Sequence, residues 1–211
     1  MPLSVLGLPR TQVEALGMTG FVLDVRQCSS CGHVFHAEFD YKQVPYRDSS
    51  NLVYNEGASW KAYQDELAAE WISSYSLRGK RVVEIGCGEG LFLERLARAD
   101  NHCIGFEPGS DAARARARGI ECYAEYFKGT RLHDLDVDAV VCRHVIEHLA
   151  APIDFLEEIS MACREASIAP IFLAEVPCIE KAIEQNRIND FLYEHVSNFT
   201  RNSFQVMFER A

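Results

Sequence analysis

The chain has 211 residues, of which 48% are hydrophobic and 25% charged, so its composition is that of a folded globular protein and excludes disorder as its main state. Its 21 Lys and Arg against 31 Asp and Glu give a net charge of −10, which disfavours nucleic acid as a partner because phosphate binding needs a basic surface. No apolar run approaches the roughly 18 residues of a membrane span, and the N-terminus lacks the pattern of a signal peptide. We therefore expect a cytoplasmic protein without a nucleic-acid or membrane partner.

Three zones of different pattern follow one another along the chain. Residues 1–50 combine short alternating stretches, turn residues and one cysteine pair, and predict a small N-terminal appendage. Residues 51–79 predict a connecting helix, because large apolar residues recur at three- and four-residue steps. These apolar residues are Trp60, Tyr63, Leu67, Trp71 and Ile72. Residues 80–211 predict the main domain.

In the main domain, strands alternate with helices. The strands are predicted over residues 81–85, 102–106, 120–124, 137–142 and 171–176. The helices are predicted over residues 91–98 and 110–118, after Pro152, and over residues 203–210. Such alternation predicts an α/β fold with a parallel sheet of about five strands and helices on both faces.

A glycine-rich turn follows the first of these strands. Gly86, Gly88 and Gly90 open the next helix, and glycine lets a ligand approach the main chain without a Cβ in the way. A dinucleotide fingerprint would need a glycine where Leu91 stands, and a phosphate-binding P-loop would need a lysine that is absent. The turn therefore indicates a different ligand at the carboxyl end of the sheet.

Two acidic residues flank this turn. Glu84 lies at the end of the first strand, where a carboxylate suits an ammonium group and repels pyrophosphate. Glu107 ends the second strand, near where an acidic residue accepts both hydroxyls of a ribose. A nucleoside with an amino-acid tail would use both carboxylates, and S-adenosylmethionine fits that description.

Four segments carry a resemblance to a known family. Val83-Glu-Ile-Gly-Cys-Gly-Glu-Gly90 and Gly105-Phe-Glu-Pro-Gly109 resemble the first two motifs of class I S-adenosylmethionine-dependent methyltransferases, and Asp138–Leu149 resembles the motif of their fourth strand. Glu175-Val-Pro-Cys178 with Asn189–Thr200 resembles the subgroup that includes sugar-nucleotide C-methyltransferases with an N-terminal zinc knuckle. The resemblance implies a Rossmann-like sheet and S-adenosylmethionine as the cofactor.

The resemblance also implies roles for individual residues. His195 would be the general base, Tyr193 would orient the substrate or polarise its carbonyl, and Glu194 would fix the imidazole tautomer. For Glu147 and His148 two interpretations stay open, namely a place in the site or local hydrogen bonding. The residues expected to bind the cofactor are Glu84, Gly86, Cys87, Gly88, Gly90, Glu107, Pro108, Arg143 and His144.

The only cysteine pair with metal-ligand spacing is Cys28 and Cys31. A structural zinc site needs four ligands, and residues 1–27 contain no Cys or His. His33 and His36 are the nearest residues that would complete the set, although His33 lies only two residues from Cys31. We therefore prefer a metal-free interpretation, with zinc only where a site is completed.

These features predict a methyltransferase that acts on a small polar acceptor, and carbon 3 of a keto-deoxysugar nucleotide is one such target. The family's sheet has two further strands in a final hairpin, and we expect that hairpin to be missing because the sequence ends at Ala211. An open sheet edge would then favour a homodimer or a partner chain that covers it. The alternative is a truncated, non-catalytic module that binds the cofactor or a partner.

Overall fold

The computed structural model of the protein describes residues 11–44, 57–187 and 190–211, which divide into two compact units. The first unit takes its described residues from 1–45, 144–157 and 176–211, and the second from 46–143 and 158–175. The predicted appendage thus shares a unit with two later segments of the chain. The predicted boundary at residue 50 and the predicted helix start at residue 51 lie outside the described residues and stay predictions.

The described strands and the described α-helices are each numbered in chain order. The strands are β1 (Val25–Gln27), β2 (Val34–His36), β3 (Arg81–Ile85), β4 (His102–Phe106), β5 (Glu121–Tyr123), β6 (Ala139–Arg143), β7 (Ile171–Glu175) and β8 (Ser197–Asn198). The α-helices are α1 (Gln12–Gly17), α2 (Ala58–Ser74), α3 (Leu91–Ala97), α4 (Ala112–Ala117), α5 (Pro152–Ala166), α6 (Ile179–Glu184) and α7 (Arg201–Arg210). Short 3-10 helices cover Tyr41–Gln43, Gly129–His133 and Ile146–His148. None of the described helices is both long and apolar enough to cross a membrane.

The second unit contains the predicted parallel sheet. Its described strands lie in the order β5-β4-β3-β6-β7, and every neighbouring pair is parallel. Consecutive residues of β3 and β6, such as Val82 and Val83 or Val140 and Val141, are fully buried. Because consecutive side chains of a strand point to opposite faces, both faces of the sheet must be covered. The predicted α/β fold with five parallel strands is confirmed.

The register of the sheet determines where its loops emerge. Ile85 at the end of β3 pairs with Phe106 at the end of β4 and with Cys142 near the end of β6. The chain therefore leaves β3, β4 and β6 at the same edge of the sheet. This places the glycine turn and Glu107 next to each other, which is where open α/β sheets bind their ligands.

The buried face of α2 includes predicted residues and adds two that were not predicted. The helix buries Gln64, Ala68 and Trp71, whereas the predicted Tyr63 is 40% exposed. The indole of Trp71 packs edge-on against Phe92, with ring centroids 5.4 Å apart. Of the other predicted apolar residues, Leu67 and Ile72 are partly buried and pack against the same core, so the helix presents most of the predicted face to the core.

The first unit contains a second, small sheet that the sequence analysis did not predict. Strand β2 pairs antiparallel with both β1 and β8, and Phe35 lies opposite Ser197. Strands of two or three residues are too short to show an alternation of apolar and polar positions. The pairing joins the cysteine-containing turn near the N-terminus to the segment that carries His195.

The packing of β4 generates a test of the core. A Cβ added to Gly105 would lie 2.4 Å from the Cys87 sulfur and 3.2 Å from Leu93, which is closer than van der Waals contact permits. We expect Gly105→Ala to lower the free energy of unfolding by about 1–3 kcal/mol, measured by urea denaturation. Gly20→Ala, where a Cβ meets nothing within 4 Å, is the matched control and should be nearly neutral. Combining Gly105→Ala with Cys87→Ala should recover part of the loss; no recovery would contradict this packing.

Candidate functional site

The turn after β3 is a loop of left-handed glycines. Gly86, Gly88 and Gly90 have φ of 69°, 53° and 75°, a region that other residues rarely adopt. The carbonyl of Phe106 in β4 accepts hydrogen bonds from the backbone N–H groups of Gly86 and Cys87, at 2.8 and 3.2 Å. The neighbouring strand therefore holds this part of the loop. A Cβ on Gly88 would meet no atom within 4 Å, so the main chain here borders open space.

Glu107 connects the loop to the end of β4. Its carboxylate accepts the Gly88 N–H at 3.0 Å through Oε2 and the Gly109 N–H at 2.7 Å through Oε1, and Pro108 lies within this turn. Burial raises the pKa of Glu107 above its usual value, while the two backbone hydrogen bonds act in the opposite direction. A carboxylate has about four acceptor positions, so Glu107 retains capacity for the hydroxyls of a ligand.

Glu84 and Cys87 lie deeper in the second unit. Glu84 is a buried residue of β3. The Cys87 sulfur lies 3.7 Å from the sulfur of Cys122, and the contact with Cys122 together with burial raises the pKa of the Cys87 thiol. Because the Cys87 side chain packs inward, this predicted cofactor residue contributes its backbone to the loop.

The loop also forms ion pairs that the sequence did not indicate. Glu89 accepts from Arg114 at 2.6 Å and from Arg118 at 3.3 Å. Arg116 donates through Nε to the Cys122 carbonyl at 2.8 Å. An arginine at every second position of a short helix resembles a solvated stripe, and the sequence offers no signal that pairs it with a glutamate of another loop.

A second network lies at the ends of β6 and β7. Arg143 donates through Nε to Glu175 at 2.6 Å, and its guanidinium group lies 3.9 Å from the ring centroid of Phe92. The hydroxyl of Tyr63 donates to the other oxygen of Glu175, also at 2.6 Å. Burial, followed by the hydrogen bond to Glu175, raises the pKa of Tyr63. Arg143 is a predicted cofactor residue, whereas Glu175 and Tyr63 were not predicted.

In the first unit, the partly exposed His144 pairs with the buried Glu147. His144 has φ of 55°, a strained conformation for a residue other than glycine, and its Nδ1 lies 3.4 Å from Glu147 Oε1. Burial opposes the ionisation of Glu147, but the hydrogen bond with His144 and the electrostatic influence of the neighbouring imidazoles hold its pKa below the usual value. Glu147 therefore carries a negative charge at neutral pH.

His148 and His195 lie beside Glu147, and each has one ring nitrogen fixed by a backbone carbonyl. His148 Nδ1 lies 2.9 Å from the Glu194 carbonyl, and His195 Nδ1 lies 3.1 Å from the Asp190 carbonyl. A carbonyl only accepts, so both Nδ1 atoms carry hydrogen and each Nε2 holds the lone pair. The ring centroids are 5.0 Å apart. Burial, and next the electrostatic influence of His148, lowers the pKa of His195 to about 4, so its ring is neutral at pH 7.

His195 also lines a small pocket of the first unit that is partly open to solvent. Asp190, Ser197 and Asn198 contribute polar groups to its wall. The structure thus places a neutral imidazole at the wall of a partly polar pocket. Asn189, which belongs to the motif quoted for this segment, lies outside the described residues.

The two predicted neighbours of His195 have different surroundings. The ring of Tyr193 packs against Phe21 and His36, and its hydroxyl accepts the backbone N–H of Asp40 at 3.2 Å. Glu194 is fully buried and supplies the carbonyl that fixes His148. The tautomer of His195 is thus held by the Asp190 carbonyl, a contact the sequence analysis did not predict.

The cysteine pair near the N-terminus forms a tight turn. The Cys28 N–H donates to the His33 carbonyl at 2.7 Å, and backbone hydrogen bonds from Cys31 and Ser30 lower the pKa of Cys28. His33 packs against Phe199, with ring centroids 4.9 Å apart. Within the described residues, no group of three ligating side chains includes this pair. The metal-free interpretation stays a prediction.

Comparison with known proteins gives partial matches to methyltransferases. The chain is 32% identical over 85 residues to a ubiquinone biosynthesis O-methyltransferase of Hahella chejuensis, covering 36% of each protein. It is 31% identical over 106 residues to the protein of the same name from Aeromonas salmonicida, covering 45% of this chain and 44% of that protein. The matches therefore span less than half the length of these relatives.

Solved structures share the fold. Magnesium protoporphyrin IX methyltransferase from Synechocystis PCC 6803, with bound S-adenosylhomocysteine (SAH), aligns with a TM-score of 0.52 at 14% identity and covers 71% of each chain. A SAM-dependent methyltransferase from Archaeoglobus fulgidus aligns with a TM-score of 0.50 at 18% identity, covering 69% of this chain and 67% of that one. At such low identity these likenesses establish the fold alone.

A family model described as a methyltransferase domain matches residues 59–211. This range includes the glycine loop, Glu107, His148 and His195. The family uses S-adenosylmethionine, which agrees with the cofactor predicted from the sequence. These matches do not distinguish the sugar-nucleotide subgroup, which the sequence resembles, from other methyltransferases. The chain belongs to the methyltransferase-domain family of class I S-adenosylmethionine-dependent methyltransferases.

Proposed function

We propose that the chain transfers a methyl group from S-adenosylmethionine to a small polar acceptor whose reacting atom carries a weakly acidic hydrogen. The observation that carries the donor half of this proposal is the link between Glu107 and the backbone N–H of Gly88. It places a buried carboxylate at the border of a glycine loop whose main chain faces open space. A nucleoside with an amino-acid tail uses both features.

The donor would lie along the carboxyl edge of the sheet in the second unit. Glu107 would accept the ribose hydroxyls, and Glu84 would attract the ammonium group of the tail. The main chain of the loop would follow the tail, as predicted for Gly86, Gly88 and Gly90. Cys87, Pro108, Arg143 and His144 stay proposed contacts of the donor.

The transfer itself is a displacement at carbon. The acceptor atom forms a bond to the methyl carbon while the bond from that carbon to sulfur breaks, and the sulfonium leaves as the neutral thioether of SAH. The acceptor loses a proton, which a base must take. The protein's contribution is to position both reactants and to receive that proton.

His195 is the proposed base. Its Nδ1–H is held by the Asp190 carbonyl, so the lone pair is on Nε2, and its ring is neutral at pH 7. The ring also lines a small pocket with polar groups in its wall. Tyr193 stays proposed to orient the acceptor or polarise its carbonyl. Glu194 stays proposed to fix an imidazole tautomer, and its backbone carbonyl accepts a hydrogen bond from His148.

The acceptor belongs to a class with an acidic hydrogen beside a carbonyl or an aromatic ring. The resemblance of residues 175–200 to sugar-nucleotide C-methyltransferases supports a keto-deoxysugar nucleotide, methylated at carbon 3. The relatives named ubiquinone biosynthesis O-methyltransferases support transfer to an oxygen atom instead. Both acceptors lose a proton as the methyl group arrives, so both need a base.

Gly88 provides a test of the donor site that separates strain from occupancy. Gly88→Ala and Gly79→Ala each force an alanine into a left-handed conformation with φ of 53° and 64°, and neither added Cβ meets an atom within 4 Å. Each should lower the free energy of unfolding by about 1 kcal/mol. Only Gly88→Ala should weaken SAH binding, by at least about 10-fold in a calorimetric titration, because its Cβ enters the ligand's space. Equal SAH affinity in the two variants would contradict this placement of the donor.

Glu107 should make donor binding depend on pH. SAH affinity should fall as the pH is lowered through the raised pKa of Glu107, because a protonated carboxyl loses acceptor capacity for the ribose. Glu107→Gln should bind SAH about 10- to 100-fold more weakly at neutral pH, with little change on acidification. The control Glu121→Gln removes a half-exposed carboxylate of β5 and should keep the wild-type profile. A Glu107→Gln variant with wild-type affinity and profile would remove the ribose assignment.

The base assignment predicts a loss of turnover without a loss of donor binding. His195→Ala should reduce transfer of radiolabelled methyl groups by about 10²- to 10⁴-fold on a panel of keto-deoxysugar nucleotides and phenols, while SAH affinity stays unchanged. His133→Ala, at a histidine with a 38% exposed side chain, is the control. Full turnover by His195→Ala would exclude the base role. SAH binding by the wild type without transfer to any acceptor of the panel would favour the non-catalytic module.

A further inference from the structure

Three side chains of types that bind metal ions converge in the first unit. Glu147, His148 and His195 each offer one ligand atom, and these atoms all lie within 4.8 Å of one another. No other group of three or more His, Cys, Asp or Glu residues meets this criterion within residues 11–44, 57–187 and 190–211. The cluster comes from distant parts of the chain, since a 3-10 helix supplies Glu147 and His148 and the loop before β8 supplies His195.

The two imidazoles are oriented as metal-bound histidines usually are. In metal sites the ring nitrogen that does not bind the ion commonly donates to a carbonyl or carboxylate, which fixes the tautomer and the plane of the ring. Here His148 donates through Nδ1 to the Glu194 carbonyl, and His195 donates through Nδ1 to the Asp190 carbonyl. On both rings the lone pair is therefore on Nε2, the atom that would bind an ion.

Glu147 adds an oxygen ligand in a buried position. Its residue is 1% exposed, and its Oε2 atom makes no hydrogen bond with the described residues. Oε1 lies 3.4 Å from His144 Nδ1, so one end of the carboxylate is already positioned by a neighbouring side chain. A buried carboxylate oxygen without a hydrogen bond is costly unless it gains a charged partner.

We propose that Glu147, His148 and His195 form a binding site for a divalent transition-metal ion of the zinc class. The inference goes beyond the proposed function and does not depend on donor binding. Many catalytic zinc sites have two imidazoles and one carboxylate as protein ligands and keep a fourth position open to solvent or substrate. Imidazole ligands favour Zn²⁺, Co²⁺ or Ni²⁺ over Mg²⁺ and Ca²⁺, which prefer oxygen ligands alone.

The observed spacing requires only a modest contraction. With metal–ligand bonds of about 2.0–2.2 Å, the ligand atoms of a tetrahedral site lie roughly 3.3–3.6 Å apart. The longest separation in the cluster is within 4.8 Å, so binding draws the side chains together by about 1 Å or somewhat more. Rotation of the Glu147 side chain about its terminal torsion supplies part of this movement, since that torsion is broad.

A bound ion and the proposed base function compete for the same atom. An ion on His195 Nε2 occupies the lone pair that the acceptor's proton would take, so the loaded chain should be a poor methyltransferase. The glycine loop has no part in the cluster, so SAH affinity should be the same with and without the ion. Activation by added metal would keep the metal site and overturn the base assignment of His195 instead.

The direct test is a calorimetric titration of the chelator-treated full chain with Zn²⁺ alone and with Co²⁺ alone. We expect one ion per chain at this site, with an affinity that falls at least about 10-fold in Glu147→Gln and in His195→Gln. His133→Gln, which changes an exposed histidine near Glu165, should bind like the wild type. All titrations are repeated with Cys28→Ser and Cys31→Ser combined, so that ligation by that pair is removed. Equal affinity in every histidine and glutamate variant, or binding lost with the cysteines, would overturn the proposal.

Because Glu147 is buried, its substitution risks unfolding the first unit. A second measurement therefore uses the wild type. X-ray absorption of the zinc-loaded chain should show nitrogen and oxygen ligands only, with the scattering pattern of two imidazoles. Sulfur in the ligand shell would assign the ion to the cysteines and overturn the site. Absence of a bound ion in the chelator-treated, zinc-titrated wild type would do the same.

Discussion

The candidate donor site depends on one buried carboxylate. Glu107 ends β4 and accepts the N–H groups of Gly88 and Gly109, so it holds both the glycine loop and its own turn. Burial alone disfavours its charge, as its raised pKa shows, and the two hydrogen bonds offset part of that cost. The same oxygens that fix the loop retain acceptor capacity for a ligand. Parallel register places this residue beside the loop, because Ile85 and Phe106 pair at the strand ends.

The first unit poses a different physical problem. Its strands are only two or three residues long, yet the unit brings the neighbouring residues Glu147 and His148 together with His195, which lies far along the chain from them. Backbone carbonyls fix both imidazoles in the tautomer whose lone pair is on Nε2. A neutral imidazole with a defined lone pair accepts either a proton or a metal ion, so one arrangement supports two chemistries. The negative charge of Glu147 favours a cation in either case, whether an imidazolium or a bound metal ion.

The sequence predicted what is local and missed what joins distant segments. The five parallel strands follow from short β-branched runs, and the glycine loop with Glu107 follows from residues close to their strand ends. The pairing of β2 with β8 was not predictable, since two-residue strands carry no period. The ion pairs of Glu89 with Arg114 and Arg118, and the contact of His148 with His195, depend on tertiary packing. The catalytic roles were predicted from the resemblance alone. The Asp190 carbonyl that orients His195 was not predictable, because it is a backbone group.

A crystal structure of the chain soaked with SAH tests the central claim most directly. The account predicts electron density along the main chain of Gly86–Gly90, with the ribose hydroxyls within hydrogen-bond distance of the Glu107 carboxylate and the ammonium group toward Glu84. Density for the ligand at another place, with Glu107 bonded only to Gly88 and Gly109 and the loop empty, would contradict it.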